Sequence, residues 1–340
     1  MELSERKEKI LAAVVEKYIS TGDAIGSKLL LDTLDFSVSS ATVRNEMSEL
    51  ASLGYLVQPH TSAGRIPTDS GFRYYIDNLM ENYELSVDQR SRLHRSIASQ
   101  SGDPEQILEQ TAEVLSRITN CAAFVTTPGG ENARIRGIEL LPVASRTVLM
   151  VLMTSTGIVK SKLCRLDYKL TKQTAEIFYN ISGNLLVGKL LYEINTAFLQ
   201  TIASSVDCGI FVMSPLLAAL ADLISEISKA QVMIEGKTNL MHHRELIGYT
   251  DELMRFLQND EPVQRLISSG KKEFEIKIGT ENIFRPLKNT GVIISHYRLH
   301  GKRGGALGII GPVRLDYARI IPYIKYISEY IEAVFDDILE

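Results

Sequence analysis

The chain is poor in the residues and patterns that most often announce chemistry. Its three cysteines, Cys121, Cys164 and Cys208, are far apart, odd in number and form no CxxC pair. That usage fits a reducing cytoplasm and excludes a cysteine zinc site within one chain. No apolar run reaches the ~20 residues needed to span a bilayer. The opening MELSERKEKI is a charged helix start without the apolar core of a signal peptide. Positive charge is not in excess either: 37 Lys and Arg against 41 Asp and Glu give −4, so no general affinity for nucleic acid or anionic membrane follows. HExxH and GxSxG are absent. His242 and His243 are adjacent, so on a helix they point apart, and His296 and His300 are spaced for a helix but sit where a strand runs into a loop. The run Gly301-Lys302-Arg303-Gly304-Gly305, followed by Gly308 and Gly311, fits neither GxxxxGK[ST] nor GxGxxG. No helix follows it to hold a phosphate at its N-terminus. An enzyme, a cofactor and a metal site are therefore not expected.

With 340 residues, 45% of them hydrophobic and 23% charged, the chain is globular and long enough for two or three domains. The most informative stretch is Val38 to Thr68, VSSATVRNEMSELASLGYLVQPHTSAGRIPT. Ser39 is a good N-cap, and Val38 and Val43 stand at the two positions of a hydrophobic staple. Val43, Met47 and Leu50 form the inward side of a helix, and Gly54 closes it. The other side carries Ser40, Ala41, Thr42, Arg44, Asn45 and Ser48. Tyr55 to Gln58 reads as a strand, His60 to Gly64 as a tight turn, and Arg65-Ile66 as the return strand. Two helices precede this unit, one with the stripe Ile10, Val14 and Tyr18, the other from about Ser27 with Leu29, Leu30 and Leu34 inward. A donor-bearing helix followed at once by a hairpin with a basic tip has the layout of a winged helix-turn-helix, with the helix in the major groove and the wing on the backbone or minor groove. One observation opposes this: residues 1 to 75 hold eight Lys and Arg against ten Asp and Glu. Attraction to phosphate then depends on local placement.

Further along, residues 71 to 82 read as a helix, either a signalling linker or a packing helix. Ser86 and Gln89 form a capping box, and Asp103-Pro104 starts another helix. Strand-like runs occupy about 121 to 166 and 274 to 311. Between them lies a helical region from Thr171 to roughly Gln231, where Ser214-Pro215 reads as an N-cap and first residue. The economical arrangement is one mixed sheet drawn from both strand groups, with helices on a face and an insertion between. A long final helix starts near Asp316.

The run SSATVRNEMSELASLGYLVQPHTSAGRIPTDSGFRYYID resembles the HrcA family of bacterial heat-inducible transcription repressors, with PHTSAGRIPT far more specific than a generic helix-turn-helix. IEGKTNLM (234 to 241), KIGTEN (277 to 282), GVIISHYR (291 to 298) and GALGIIGPVRLDYARII (305 to 321) extend the resemblance over nearly the whole chain. It is weakest across about 85 to 120 and 171 to 231. The resemblance implies an α+β, multidomain chain with an N-terminal winged helix-turn-helix, a GAF-like α/β domain and an inserted helical dimerisation domain. The boundaries expected are 1–75 for the winged helix, 76–103 for linker helices, 104–170 with 235–340 for the GAF-like domain, and 171–234 for the insert. It also implies repression of chaperone operons through an inverted-repeat operator, the CIRCE element, and an active form dependent on the GroE chaperonin. A homodimer follows, because one module reads few base pairs and a two-fold dimer reads an inverted repeat. The apolar helices of 171 to 231 are the expected interface, with the last helix in reserve. Arg44 and Asn45, with Ser40, Thr42 and Ser48, are placed at bases and phosphates; His60, Thr61, Ser62 and Arg65 at the wing contacts. Two alternatives stay open: a small-ligand-responsive regulator sensing through the GAF-like domain, and an interaction protein that binds no DNA.

Overall fold

The N-terminal helix α1 (Glu5–Thr21) ends because Gly22 adopts a left-handed conformation, φ 74°, from which its N–H returns to Tyr18. Ser4 stands at the N-cap, but its hydroxyl makes no cap bond. The structure, a computed structural model, describes residues 3–61, 63–81, 83–97, 103–130, 133–204, 210–270, 272–299 and 301–339. Helix α2 (Ser27–Leu30) follows, then α3 (Ser40–Ser52), β1 (Leu56–Val57) and β2 (Ile66–Pro67). Leu30 is buried, but Leu29 is 48% exposed, contrary to its expected inward position. The helix is only one turn long, so neighbouring residues cannot share a face.

Helix α4 (Asp69–Tyr74) runs into a π-helical turn, Tyr75–Leu79. It is a packing element: Phe72 and Tyr75 are buried in a core that also contains Val14 of α1 and Tyr317. Next come α5 (Val87–Ile97) and α6 (Pro104–Thr119). The Ser86–Gln89 box is closed in both directions, at 2.8 and 3.3 Å, and Asp103 caps α6 through the Glu105 N–H.

Strands β3 (Ala122–Thr126), β4 (Ile135–Ala144), β5 (Thr147–Thr154) and β6 (Val159–Arg165) lead into α7 (Lys172–Ile181), α8 (Thr196–Ser204) and α9 (Ile210–Ser228). The chain continues through β7 (Val232–Glu235), α10 (Thr250–Gln258), α11 (Asp260–Ser268), β8 (Phe274–Ile278), β9 (Thr290–Leu299), β10 (Lys302–Pro312) and α12 (Tyr317–Leu339). The single mixed sheet expected from both strand groups does not form. One antiparallel sheet has the order β7-β3-β10-β9-β8, and β4-β5-β6 make a separate antiparallel meander. The reason lies in packing. Val148, Met150 and Leu152 of β5 bury against Leu216, Leu220 and Leu223 of α9, so the meander shares its core with the helices after it. The expected cut at 170/171 therefore falls between elements of one core. The helix faces proposed for dimerisation are consumed within the chain, and most apolar residues of α12 are likewise buried against α6 and the large sheet, with Ile338 exposed near its end.

Pro215 lies inside α9 and does not begin it. A proline there forfeits one helical bond, and in the preceding turn the Val212 carbonyl accepts from the Tyr168 hydroxyl. The glycine-rich run is the β9–β10 hairpin, with Gly301 at φ 75° in its turn. Both faces of the five-stranded sheet are filled. One packs Val125, Ile293 and Ile309 against α6 and α12, the other packs Phe124, Val292 and Ile310 against α10 and α11. No helix among the described residues is long and apolar enough to cross a membrane.

Candidate nucleic-acid interface

Helix α3 is started by Ser39, whose hydroxyl oxygen accepts the Thr42 N–H at 3.1 Å. Val43, Met47 and Leu50 anchor it in the core, which turns Ala41, Arg44, Asn45 and Ser48 outward. These four stand at i, i+3, i+4 and i+7, and all are exposed. The Arg44 and Asn45 side chains make no hydrogen bond or ion pair among the described residues. Ser48 donates its hydroxyl to the Arg44 carbonyl at 2.9 Å, which leaves its lone pairs outward. The other two helix residues singled out from the sequence are already engaged. Ser40 is 3.0 Å from Ser27 of α2, and Thr42 is 2.9 Å from Ser39 within the cap.

The hairpin beyond α3 is narrower than its sequence suggested, with Leu56 opposite Pro67 and Val57 opposite Ile66. Arg65 serves a third strand position: its N–H and carbonyl pair with Ile25, at 2.8 and 2.9 Å. That approach requires Gly64, where a Cβ would lie 2.3 Å from the Ile25 carbonyl. Among the described residues the Arg65 Nε is buried without a partner, a costly state for a charged donor. His60 and Thr61 are exposed at the tip, and Ser62 lies outside the described residues. Gln58 was not singled out from the sequence. Its amide donates to the Thr61 and Ala63 carbonyls, both at 3.0 Å, and so staples the tip. Those acceptors become neighbours only once the turn has closed.

Part of the acidic charge of this region is taken up by ion pairs. Glu46 and Glu49 on the flank of α3 are met by Arg6 and Lys7 of α1. Those bonds, to Glu49 first and then Glu46, hold the Lys7 ammonium above its ordinary pKa. Lys9 takes Glu5 and Asp35, while Arg73 takes Asp77 and Glu281. Glu8 and Glu16 accept from Tyr74 and Tyr75. Among the described residues, Lys17, Lys28, Arg44 and Arg65 keep no ion pair. Local placement thus supplies positive charge where the sum does not.

Residues 105–321 match the family described as HrcA protein C terminal domain. The chain is 32% identical over 342 residues to the heat-inducible transcription repressor HrcA of Lachnoclostridium phytofermentans, covering 98% of each protein. It is 31% identical over 333 residues to the repressor of that name from Acetivibrio thermocellus, covering 96% of this chain and 95% of that one. A crystal structure of a hypothetical protein at 2.2 Å has the same fold, with a TM-score of 0.68 and 22% identity over 99% of this chain and 100% of that one. The relatives are transcription repressors, not enzymes. The chain belongs to the HrcA family, the heat-inducible branch of that class.

Proposed function

We propose that the chain is a DNA-binding repressor of heat-shock chaperone operons, acting in the cytoplasm as a homodimer on an inverted-repeat operator of the CIRCE type. The observation that carries this reading is the exposed Arg44–Asn45–Ser48 stripe, with no ion pair at Arg44 among the described residues while Arg6 and Lys7 meet the acids beside it. Residues 3 to 68 serve as a winged helix-turn-helix: α2 and α3 are the helix pair and β1–β2 the wing. Arg44 and Asn45 reach base edges, Ser48, Ser40 and Thr42 flank them, and His60, Thr61, Ser62 and Arg65 meet the backbone.

The five-stranded sheet with α6 and α10 to α12 is a GAF-like domain, and residues 133–228 are the insert that dimerises. The outer face of its meander supports this. Leu141 and Leu163, 51% and 61% exposed, flank Leu149 in one row, with Val151, Met153 and Val159 beside them. A second copy is the occupant, since a two-fold axis lays one such face on another. GroE-type chaperonin modulation rests on the family resemblance.

Fluorescence anisotropy with an inverted-repeat duplex and a scrambled one, across a salt series and with and without chaperonin, tests the reading. Operator preference that is salt-sensitive and strengthened by chaperonin supports it; equal weak binding to both duplexes sinks it. Sedimentation of Leu163→Asp addresses the interface: a monomer that binds one half-site is expected, an intact dimer refutes the assignment.

A further inference from the structure

Helix α4 does more than join the DNA-reading module to the rest of the chain. Its Arg73 reaches the loop after β8, donating from Nε to Glu281 Oε1 at 2.8 Å and a second time to Oε2. The same guanidinium donates to the Ile276 carbonyl at 2.6 Å. One turn earlier, the Asp69 carboxylate accepts both the N–H and the hydroxyl of Thr280, each at 2.8 Å. The approach is so close that a Cβ on Gly279, which sits at φ 50°, would lie 2.2 Å from that carboxylate. Asn282 holds the loop from within, donating to the Leu287 and Gly279 carbonyls at 3.0 and 3.1 Å. Between these polar ties, Phe72 packs at a tilt between Tyr18 of α1 and Tyr317 of α12, with ring centroids 6.2 Å from each. Behind them Arg314 pairs with Glu245 and donates to the Ile19 carbonyl at the end of α1.

A bidentate guanidinium–carboxylate pair fixes direction as well as distance. With Asp69–Thr280 as a second anchor, the module cannot swivel about α4. We propose that Arg73, Asp69, Thr280 and Glu281 are positioning residues that determine operator spacing, holding each recognition helix at a set orientation to the dimer body. This rests on the operator reading above. Linked binding sites gain affinity only when geometry allows both to engage, and a stiff link makes that condition strict.

The test uses the full chain as wild type, Glu281→Arg, Asp69→Ala, and the exchange Arg73→Glu with Glu281→Arg. Affinity is measured for duplexes whose half-site spacing differs by half a helical turn, about 5 base pairs. Independently of DNA, spin labels at Leu53→Cys and Glu261→Cys, in a Cys208→Ser background diluted with unlabelled chain, report the module-to-body distance. Wild type is expected to lose about a hundredfold on the altered spacing and to give a narrow distance distribution. Glu281→Arg and Asp69→Ala should flatten the spacing preference and broaden the distribution, and the exchange should restore both. Should Glu281→Arg fail to fold, Asp69→Ala carries the comparison. Variants with wild-type spacing preference and narrow distances overturn the proposal. A wild type with no operator preference overturns the operator reading instead, while the distance distributions still decide whether these residues hold the module.

Discussion

The Lys7 ammonium on α1 lies 3.2 Å from the Glu46 carboxylate on α3, and the same group reaches Glu49 at 3.0 Å. One cation of the first helix thus bridges two acids on the flank of the helix proposed to read DNA, and Arg6 supplies the second positive charge at Glu46. Lys7→Gln should unmask that charge beside the phosphates and lower operator affinity a few-fold. The loss should shrink as salt rises, because the interaction is exposed and screened. Equal affinity at low salt would show that Glu46 and Glu49 lie too far from the duplex to matter.

Arg44 and Arg65 should fail in different ways. Arg44→Ala is expected to cost about 1–3 kcal/mol of operator binding and to relax specificity at one base pair. Arg65→Ala should weaken binding to all sequences alike and reduce the salt slope by about 1. A salt titration on operator and scrambled duplexes separates the two. Unchanged binding in both variants would remove this surface as the site.

Gly64 and Gly26 provide a steric contrast at the base of the hairpin. A Cβ on Gly64 meets the Ile25 carbonyl carbon at 2.3 Å, whereas one on Gly26 meets nothing within 4 Å. Gly64→Ala should destabilise the chain by about 1–3 kcal/mol, the usual cost of overpacking, and weaken operator binding with it. Gly26→Ala should be near neutral. Thermal melts of the two variants check this.

His296 makes stability depend on pH. Burial first and the neighbouring Arg303 second push its imidazole down to about 4, against the opposing charge of Glu275. Arg303 Nε donates to the ring Nδ1 at 3.1 Å, which requires a lone pair there. The unfolded chain titrates near ~6.5, so between the two values it binds the extra proton. Stability should therefore rise with pH from about 4 to about 6.5 and be lost as pH falls through that window. Glu281 falls outside it: burial works to raise its carboxyl, but the bonds from Arg73 and the Ile278 N–H leave it lowered, so its contribution is lost only at more acid pH. Urea unfolding at pH 5 and 7.5 should show the slope, and His296→Gln should flatten it.

What could be read from the chain alone is what depends on near neighbours. Ser39 and Asp103 cap because the N–H groups they accept are three and two residues away. The β5–β6 hairpin closes on Gly157 at φ 76° because its turn residues are contiguous. The Arg44–Asn45–Ser48 stripe is visible because Val43, Met47 and Leu50 define its opposite side at helical spacing. Tertiary structure decided the rest. A strand's alternation shows that it has an inner face but not what covers it, so the affiliation of β4–β6 with α9 was set by packing across some sixty residues of sequence. Summed charge made the first 75 residues look unsuited to phosphate, and only the folded pairing of Arg6 and Lys7 with Glu46 and Glu49 left Arg44 exposed and unopposed. Whether residues 71 to 82 formed a loose linker or a fixed mount could not be told from their periodicity. The deciding partners, Thr280 and Glu281, stand more than 200 positions away and meet α4 only once the large sheet has formed.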